Sequence, residues 1–469
     1  MPTKSHNTDN WTRLVICFLW GSILIGKASA FVGLAIGVLL FLDPRVLLNR
    51  WYTALTRRDP LSGFGWALLI SLLYGIAQVI YGVLLGNSLF TALQILIFNI
   101  CPLYLFLGIW AGTRRPEIVR NYTRFVAWFC VIYTPLYFLF LNKVSLSLTG
   151  LLPGSDLGLF SRPGSGSGTL LGLFAFEPNL SRFWLPIALL SFLTLANQER
   201  ADWLGFGLAL IIWGAATRKL GRVFGMAGVV IALLLIGFAA DVRLPALPGR
   251  GGEISARETV ARALSAVSPE TAEGFSSSSN TRFYHGTVYW RTQWWAGIRQ
   301  AVSENYRTLI FGLGYGYPIK DLGGSAQKTG TTRSPHSIFY FALAYSGWIG
   351  VVLFFWLQFC LFRLLWQTYK ATGQIYGLAY YSAVFIGAFF GNFLETPQAG
   401  IPTYLLMGLC LGPLFRERQL REQGAHRVSV QEAFPKNYGE VFESALSETV
   451  IAAKSAAVPV RPPRRGRAE

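Results

Sequence analysis

The chain is short of charge, sulfur and histidine. Only 14% of its 469 residues are charged, against 52% hydrophobic and 15% aromatic. That balance excludes an ordinary soluble domain and fits a chain that crosses the bilayer many times. Five cysteines (Cys17, Cys101, Cys130, Cys360 and Cys410) all lie inside apolar runs, and no CxxC spacing occurs. Neither a disulfide framework nor a zinc site is therefore expected. Acidic residues number 23 against 41 basic ones, giving a net charge of +18. No basic stretch interleaved with aromatics forms a soluble module, so no nucleic-acid partner is expected. The basic excess instead suits cytoplasmic loops beside anionic headgroups. No internal repeat is visible, which leaves an inverted-repeat transporter unsupported. The opening MPTKSHNTDNWTR leads into an apolar run without a small-residue cleavage site, so it reads as a retained first span.

Apolar segments recur near 14–26, 28–42, 62–85, 88–111, 122–141, 180–197, 203–216, 221–240, 337–366, 373–391 and 397–415. The fold expected is all-α: a polytopic helical membrane protein with about 10–12 spans and a large, partly helical extracytoplasmic loop. Four regions follow: membrane helices over 1–240 with an outer loop at 142–178, the large outer loop 241–335, C-terminal helices over 336–415, and a polar tail 416–469. That tail ends in RPPRRGRAE and has the composition of a disordered cytoplasmic segment. Arg45, Arg50, Arg57 and Arg58 mark one cytoplasmic loop, and Arg114, Arg115, Arg120 and Arg124 another. Counting spans from both termini puts 142–178 and 241–335 on the same outer side. Three apolar segments lie between those loops, where an even number of crossings is needed. Either the short 203–216 segment is re-entrant or a span is merged or missed, and the answer decides whether Arg200 or Arg218 faces outward.

Within the large loop, TVYWRTQWWAGIRQAV places Trp290, Trp294, Ile298 and Val302 at every fourth residue, one apolar stripe of a helix. Arg291, Arg299 and Trp295 share the adjoining row, an arrangement suited to a helix lying among headgroups. A second helix is expected over 253–267. The GLGYG run at Gly312–Gly316 lacks a surrounding βαβ unit and reads as a tight turn. His336, one of four histidines, stands where polar loop meets a long apolar run, with Gly347 and Gly350 further in. A titratable group at the mouth of a span is a functional candidate by default. Neutral imidazole accepts a proton from a hydroxyl near pH 7, and guanidinium groups grip diphosphate oxygens without losing charge. His336 with Arg291, Arg299 and Arg333 would thus suit transfer of a group from a lipid-linked diphosphate to a sugar hydroxyl, with no metal or other cofactor required. Glu395, in NFLETP near an outer span end, is a rival base.

VYWRTQWWAGI, then LIFGLGYG, then His336 followed by Gly347 and Gly350, resembles the O-antigen ligase/polymerase family of bacterial envelope membrane proteins. FAFEPN, with Pro178 and Asn179, resembles the family's Pro-Asn element. Two departures stand out. Ser337 occupies the position after the histidine where the family usually has Asn, and the middle serine-arginine element survives only as Glu199–Ala201 or Thr217–Lys219. The resemblance implies a metal-independent glycosyltransferase in the bacterial inner membrane, its active site facing the periplasm, working on undecaprenyl-diphosphate-linked glycans among membrane lipids. It implies a catalytic His336, with Arg291 and either Arg218 or Arg200 binding diphosphate. Polymerisation of O-antigen or exopolysaccharide repeat units is the leading expectation, with export or chain-length machinery as partners. Ligation to lipid A core is the alternative, and a flippase of lipid-linked oligosaccharide the alternative of another class.

Overall fold

The computed structural model describes residues 5–25, 32–37, 51–56, 59–141, 144–147, 156–158, 160, 185, 200–244, 253–264, 271, 278–323, 334–391 and 393–433. Pro178, Asn179, Arg333, Arg45, Arg50, Arg57, Arg58 and the apolar run 180–197 apart from Leu185 lie outside them, as does the tail beyond Ala433. The described chain is almost wholly helical. In order come α1 Ser5–Ile25, α2 Ser62–Leu84, α3 Leu89–Ile100, α4 Tyr104–Arg114, α5 Ile118–Leu139, α6 Arg200–Ala216, α7 Leu220–Ala239, α8 Ala256–Leu264, α9 Ser278–Ser303, α10 Tyr306–Phe311, α11 Ile338–Thr372, α12 Tyr376–Phe390 and α13 Pro397–Ala433. Two small antiparallel pairs join β1 Ser145–Ser147 to β2 Asp156–Gly158 and β3 Arg243–Leu244 to β4 Ile254–Ser255. Five stretches among these residues are long and apolar enough to cross a membrane: α2, Leu89–Arg114, α7, α11 and Pro397–Arg421. The protein is an all-α polytopic membrane protein.

Two compact units divide the chain at Leu414 and Phe415. The second, expected to be irregular from Arg416, is helical as far as it is described, to Ala433. Arg421 there donates to Glu417 at 2.6 Å, one helical turn away.

In the first unit, α11 is the central axis, 35 residues long. α2 runs antiparallel to it: Gly63 lies against Cys360, the Tyr74 hydroxyl donates to the Ser346 carbonyl (2.7 Å), and Gly82 meets Tyr315. Pro102 interrupts the apolar run 88–111, and the chain takes a short 3-10 turn at Cys101–Leu103 between α3 and α4. α4 then crosses α13 with backbone nearly touching backbone. Gly108 and Gly112 of one helix face Gly408 and Gly412 of the other. Each pair is a GxxxG motif, the spacing that lets apolar helices approach closely without relying on a hydrophobic driving force.

α6 and α7 pair as a hairpin, with Gly214 against Leu220 and Val223. Ala209 of α6 packs with Ala379 and Ala383 of α12, and Gly205 lies against the Ala383 carbonyl. Further along, the Tyr369 hydroxyl near the end of α11 donates to the Ala216 carbonyl (3.3 Å). α6 therefore runs from the His336 end of the bundle to the Thr372 end, and α7 returns from the turn at Thr217–Lys219. The 203–216 segment is therefore one arm of a hairpin with α7.

Candidate active site

His336 sits two residues before α11, on a backbone that a non-glycine residue seldom adopts (φ 53°). Such a conformation costs about 1–3 kcal/mol and persists only where neighbours over-determine it. The neighbours here are specific. The His336 N–H donates to Ser334 Oγ (3.1 Å), and Trp295 Nε1 donates to the Pro335 carbonyl (2.9 Å). Trp295 in turn stacks on Tyr340 in the first turn of α11, with ring centroids 5.0 Å apart and planes 11° apart. Trp290 meets the imidazole edge-on at 5.8 Å. Burial, reinforced by the positive charge of Arg291, pushes the His336 pKa down to about 4. At neutral pH the ring is therefore uncharged and keeps one nitrogen as an acceptor.

The tryptophan stripe of α9 faces protein. Trp294, Ile298 and Val302 are fully buried, and Trp294 Nε1 donates to the Ile319 carbonyl (2.7 Å). This corrects the expectation of a helix resting its stripe among headgroups. The stripe needed a partner, and the turn at Ile319–Gly323 supplies it. Seating the stripe fixes the register that brings Trp290 and Trp295 to His336. It also half-buries Arg291, whose Nη1 donates to the Phe390 carbonyl (3.1 Å) at the end of α12 and whose guanidinium lies 5.4 Å from the Trp290 ring centroid. Arg299, two turns along, is exposed.

The glycine run is more than a tight turn. Gly312, Gly314 and Gly316 all have positive φ (78°, 80° and 88°), so the chain zigzags inward between α2, α3 and α11. Tyr315 is buried, its hydroxyl donating to Asn99 Oδ1 (2.6 Å), while Asn99 Nδ2 donates to the Ser71 carbonyl (3.0 Å). Gln78 Nε2 donates to the Phe311 carbonyl (2.9 Å). The loop also explains Gly347, which breaks α11 with φ 59° and ψ −162°. A Cβ there would overlap the Ile310 carbonyl oxygen. Backbone groups released by the break are taken up: Leu313 N–H donates to the Ala344 carbonyl (2.8 Å), and Tyr74 covers Ser346. A broken helix at membrane depth is tolerated only with such replacements.

The sequence-derived residues do not all converge. His336 and Arg291 are within electrostatic reach of each other. Arg200 begins α6 at the His336 end of the bundle. Arg218 lies in the α6–α7 turn, beside the Tyr369 end of α11, and is not brought to His336. Glu395 stands close to the histidine loop: Ser334 Oγ donates to its Oε2, and Ser334 in turn accepts the His336 N–H. Burial raises the Glu395 pKa well above the carboxylate range, against opposing pulls from Arg291 and the Ser337 backbone. In the sequence, Glu395 shows only as an acid at a span end; the 61 residues separating it from Ser334 hide the contact.

The architecture is that of a polytopic helical membrane protein with a polar, histidine-bearing loop at the mouth of a span. Residues 185–355 match the family model described as O-antigen ligase. Arg200, Arg291, His336 and both α11 glycines fall within the matched span, whereas Glu395 lies beyond it. No curated protein gives a match. The match supports a membrane enzyme of the O-antigen ligase/polymerase type.

Proposed function

We propose that the protein polymerises glycan repeat units carried on undecaprenyl diphosphate, in the bacterial inner membrane, with His336 facing the periplasm. The observation that supports glycosyl transfer, a step polymerase and ligase share, is the uncharged His336 held in a strained loop beside a half-buried Arg291. An acceptor hydroxyl oxygen attacks the anomeric carbon of the donor, and the bond from that carbon to the diphosphate oxygen breaks. The hydroxyl proton passes to the imidazole, and the lipid diphosphate leaves as an anion held by Arg291 and Arg200. The anion's charge raises the affinity of His336 for that proton at the moment it is transferred. Two guanidinium groups supply the neutralisation that a divalent cation gives other diphosphate enzymes, so the reaction runs without a metal. Arg218, at the far end of the bundle, has no part in this step.

Glycan electrophoresis of cells lacking the chain, complemented with wild type or His336→Ala, tests the reading. Loss of long chains, with single repeat units still attached to their acceptor, identifies a polymerase. Accumulation of complete chains on the lipid carrier identifies a ligase that passes glycan to lipid A core. Full restoration by His336→Ala, at equal membrane level, removes the catalytic assignment and leaves a flippase or scaffold.

A further inference from the structure

Glu395 is a buried acid in contact with the histidine loop that the reaction above does not use. It belongs to the turn between α12 and α13, while Ser334 belongs to the far end of the outer loop. The two meet side chain to side chain, with the Ser334 hydroxyl donating to Oε2. Ser334 Oγ then accepts the N–H of His336, the residue whose backbone is left-handed. The Ser337 backbone is also near enough to favour the ionised form of this carboxyl, which therefore faces the chain on both sides of the histidine.

We propose that Glu395 is a positioning residue for His336, whose carboxyl, acting through Ser334, holds the strained turn that aims the imidazole at the acceptor. The inference rests on the catalytic reading of His336 given above. A carboxyl doing this work must accept hydrogen bonds, and it need not be ionised. Its burial favours the protonated form. Among the described residues, the charged group that acts on it is Arg291 from α9.

The test compares Glu395→Gln, Glu395→Ala and Ser334→Ala in the full-length protein, turning over lipid-linked glycan extracted from cells that lack it. Gln keeps an accepting oxygen at the carboxyl's place and should turn over close to wild type. Glu395→Ala and Ser334→Ala should each lose about 10–100-fold in kcat, the usual effect of removing an orienting partner, with KM little changed. The pH profile adds a readout that a merely structural group would not move. Wild type should decline as pH rises through the raised Glu395 pKa, where the new carboxylate pairs with Arg291, and Glu395→Gln should not. Equal inactivity of Gln and Ala, in monodisperse protein, would mean that a carboxylate is needed as a base and would overturn the proposal. So would full activity of Glu395→Ala. Should Glu395→Ala fail to fold, Ser334→Ala and Glu395→Gln still decide the matter. His336→Ala run alongside separates the failures: if it stays active, the catalytic reading is at fault, whatever the Glu395 variants do.

Discussion

The Tyr315 hydroxyl and Asn99 Oδ1 are joined at 2.6 Å in the interior of the helix bundle, 216 residues apart in the chain. This bond ties the glycine loop that follows α10 to α3, and Asn99 passes the connection to Ser71 on α2. A cavity of about 20 Å³ adjoins the cluster, lined by Ser71, Tyr74, Asn99, Tyr315, Ser346 and Tyr404 among others. That is room for one water. Tyr315→Phe removes the donor to Asn99, and no apolar replacement repairs the loss. Destabilisation of about 1–3 kcal/mol is expected, read as a lower unfolding temperature of the detergent-solubilised protein. An unchanged temperature would show that water takes over the hydroxyl's role.

Gly347→Ala should be far more damaging than Gly207→Ala. At Gly347 both the backbone (φ 59°, ψ −162°) and the contact with Ile310 forbid a Cβ, whereas a Cβ at the helical Gly207 of α6 would meet nothing within 4 Å. The loop and the helix break fit together, so Gly347→Ala should expel the loop and carry Tyr315 with it. The expected result is protein lost from the membrane fraction or aggregated on extraction, with Gly207→Ala recovered. Equal yields of folded protein would refute the interlock.

The α6 direction predicts where two introduced cysteines react. In a background lacking the native cysteines, Asn305→Cys and Thr217→Cys should be labelled from opposite sides of the membrane by an impermeant maleimide. The same geometry separates the arginines. Arg200→Gln should lower transfer by about 10–100-fold, the loss of a charged hydrogen-bonding partner, and Arg218→Gln should leave it near wild type. Labelling from one side, or the reverse ranking of the arginines, would undo the assignment.

The long apolar runs were legible because hydropathy alone requires a helix wherever backbone must be buried in lipid. His336 was legible too, as a titratable residue costly at a span mouth, whereas Gly347 showed only as a glycine inside the span. What local pattern could not show was pairing at a distance. The stripe Trp294–Ile298–Val302 announces a buried face without saying whether lipid or protein covers it, and the turn at Ile319 decides. Hydropathy counts three segments between 180 and 240, but only the meeting of Ala216 with Tyr369 orients α6 and so parts Arg200 from Arg218. Gly312–Gly316 read as a turn because three left-handed glycines look alike at a surface and inside a bundle.

The pH dependence of transfer carries the sharpest statement about His336 and Arg291. If the neutral imidazole takes the proton, the acid limb of kcat/KM reports the pKa of His336 in the free enzyme. Burial and the Arg291 charge set it near 4, against 6.5 for an ordinary histidine, so activity should persist through pH 6 and be half lost only near pH 4. Both causes disfavour the cation. Removing one of them by Arg291→Gln must raise the pKa, and the acid limb should move to higher pH while staying below 6.5, because the burial remains. The same substitution weakens diphosphate binding, so KM should rise together with the shift. A wild-type acid limb at 6.5 would mean that the titrating group is solvated and is not this histidine. A low limb that Arg291→Gln leaves in place would mean that the guanidinium and the imidazole do not act on each other during turnover.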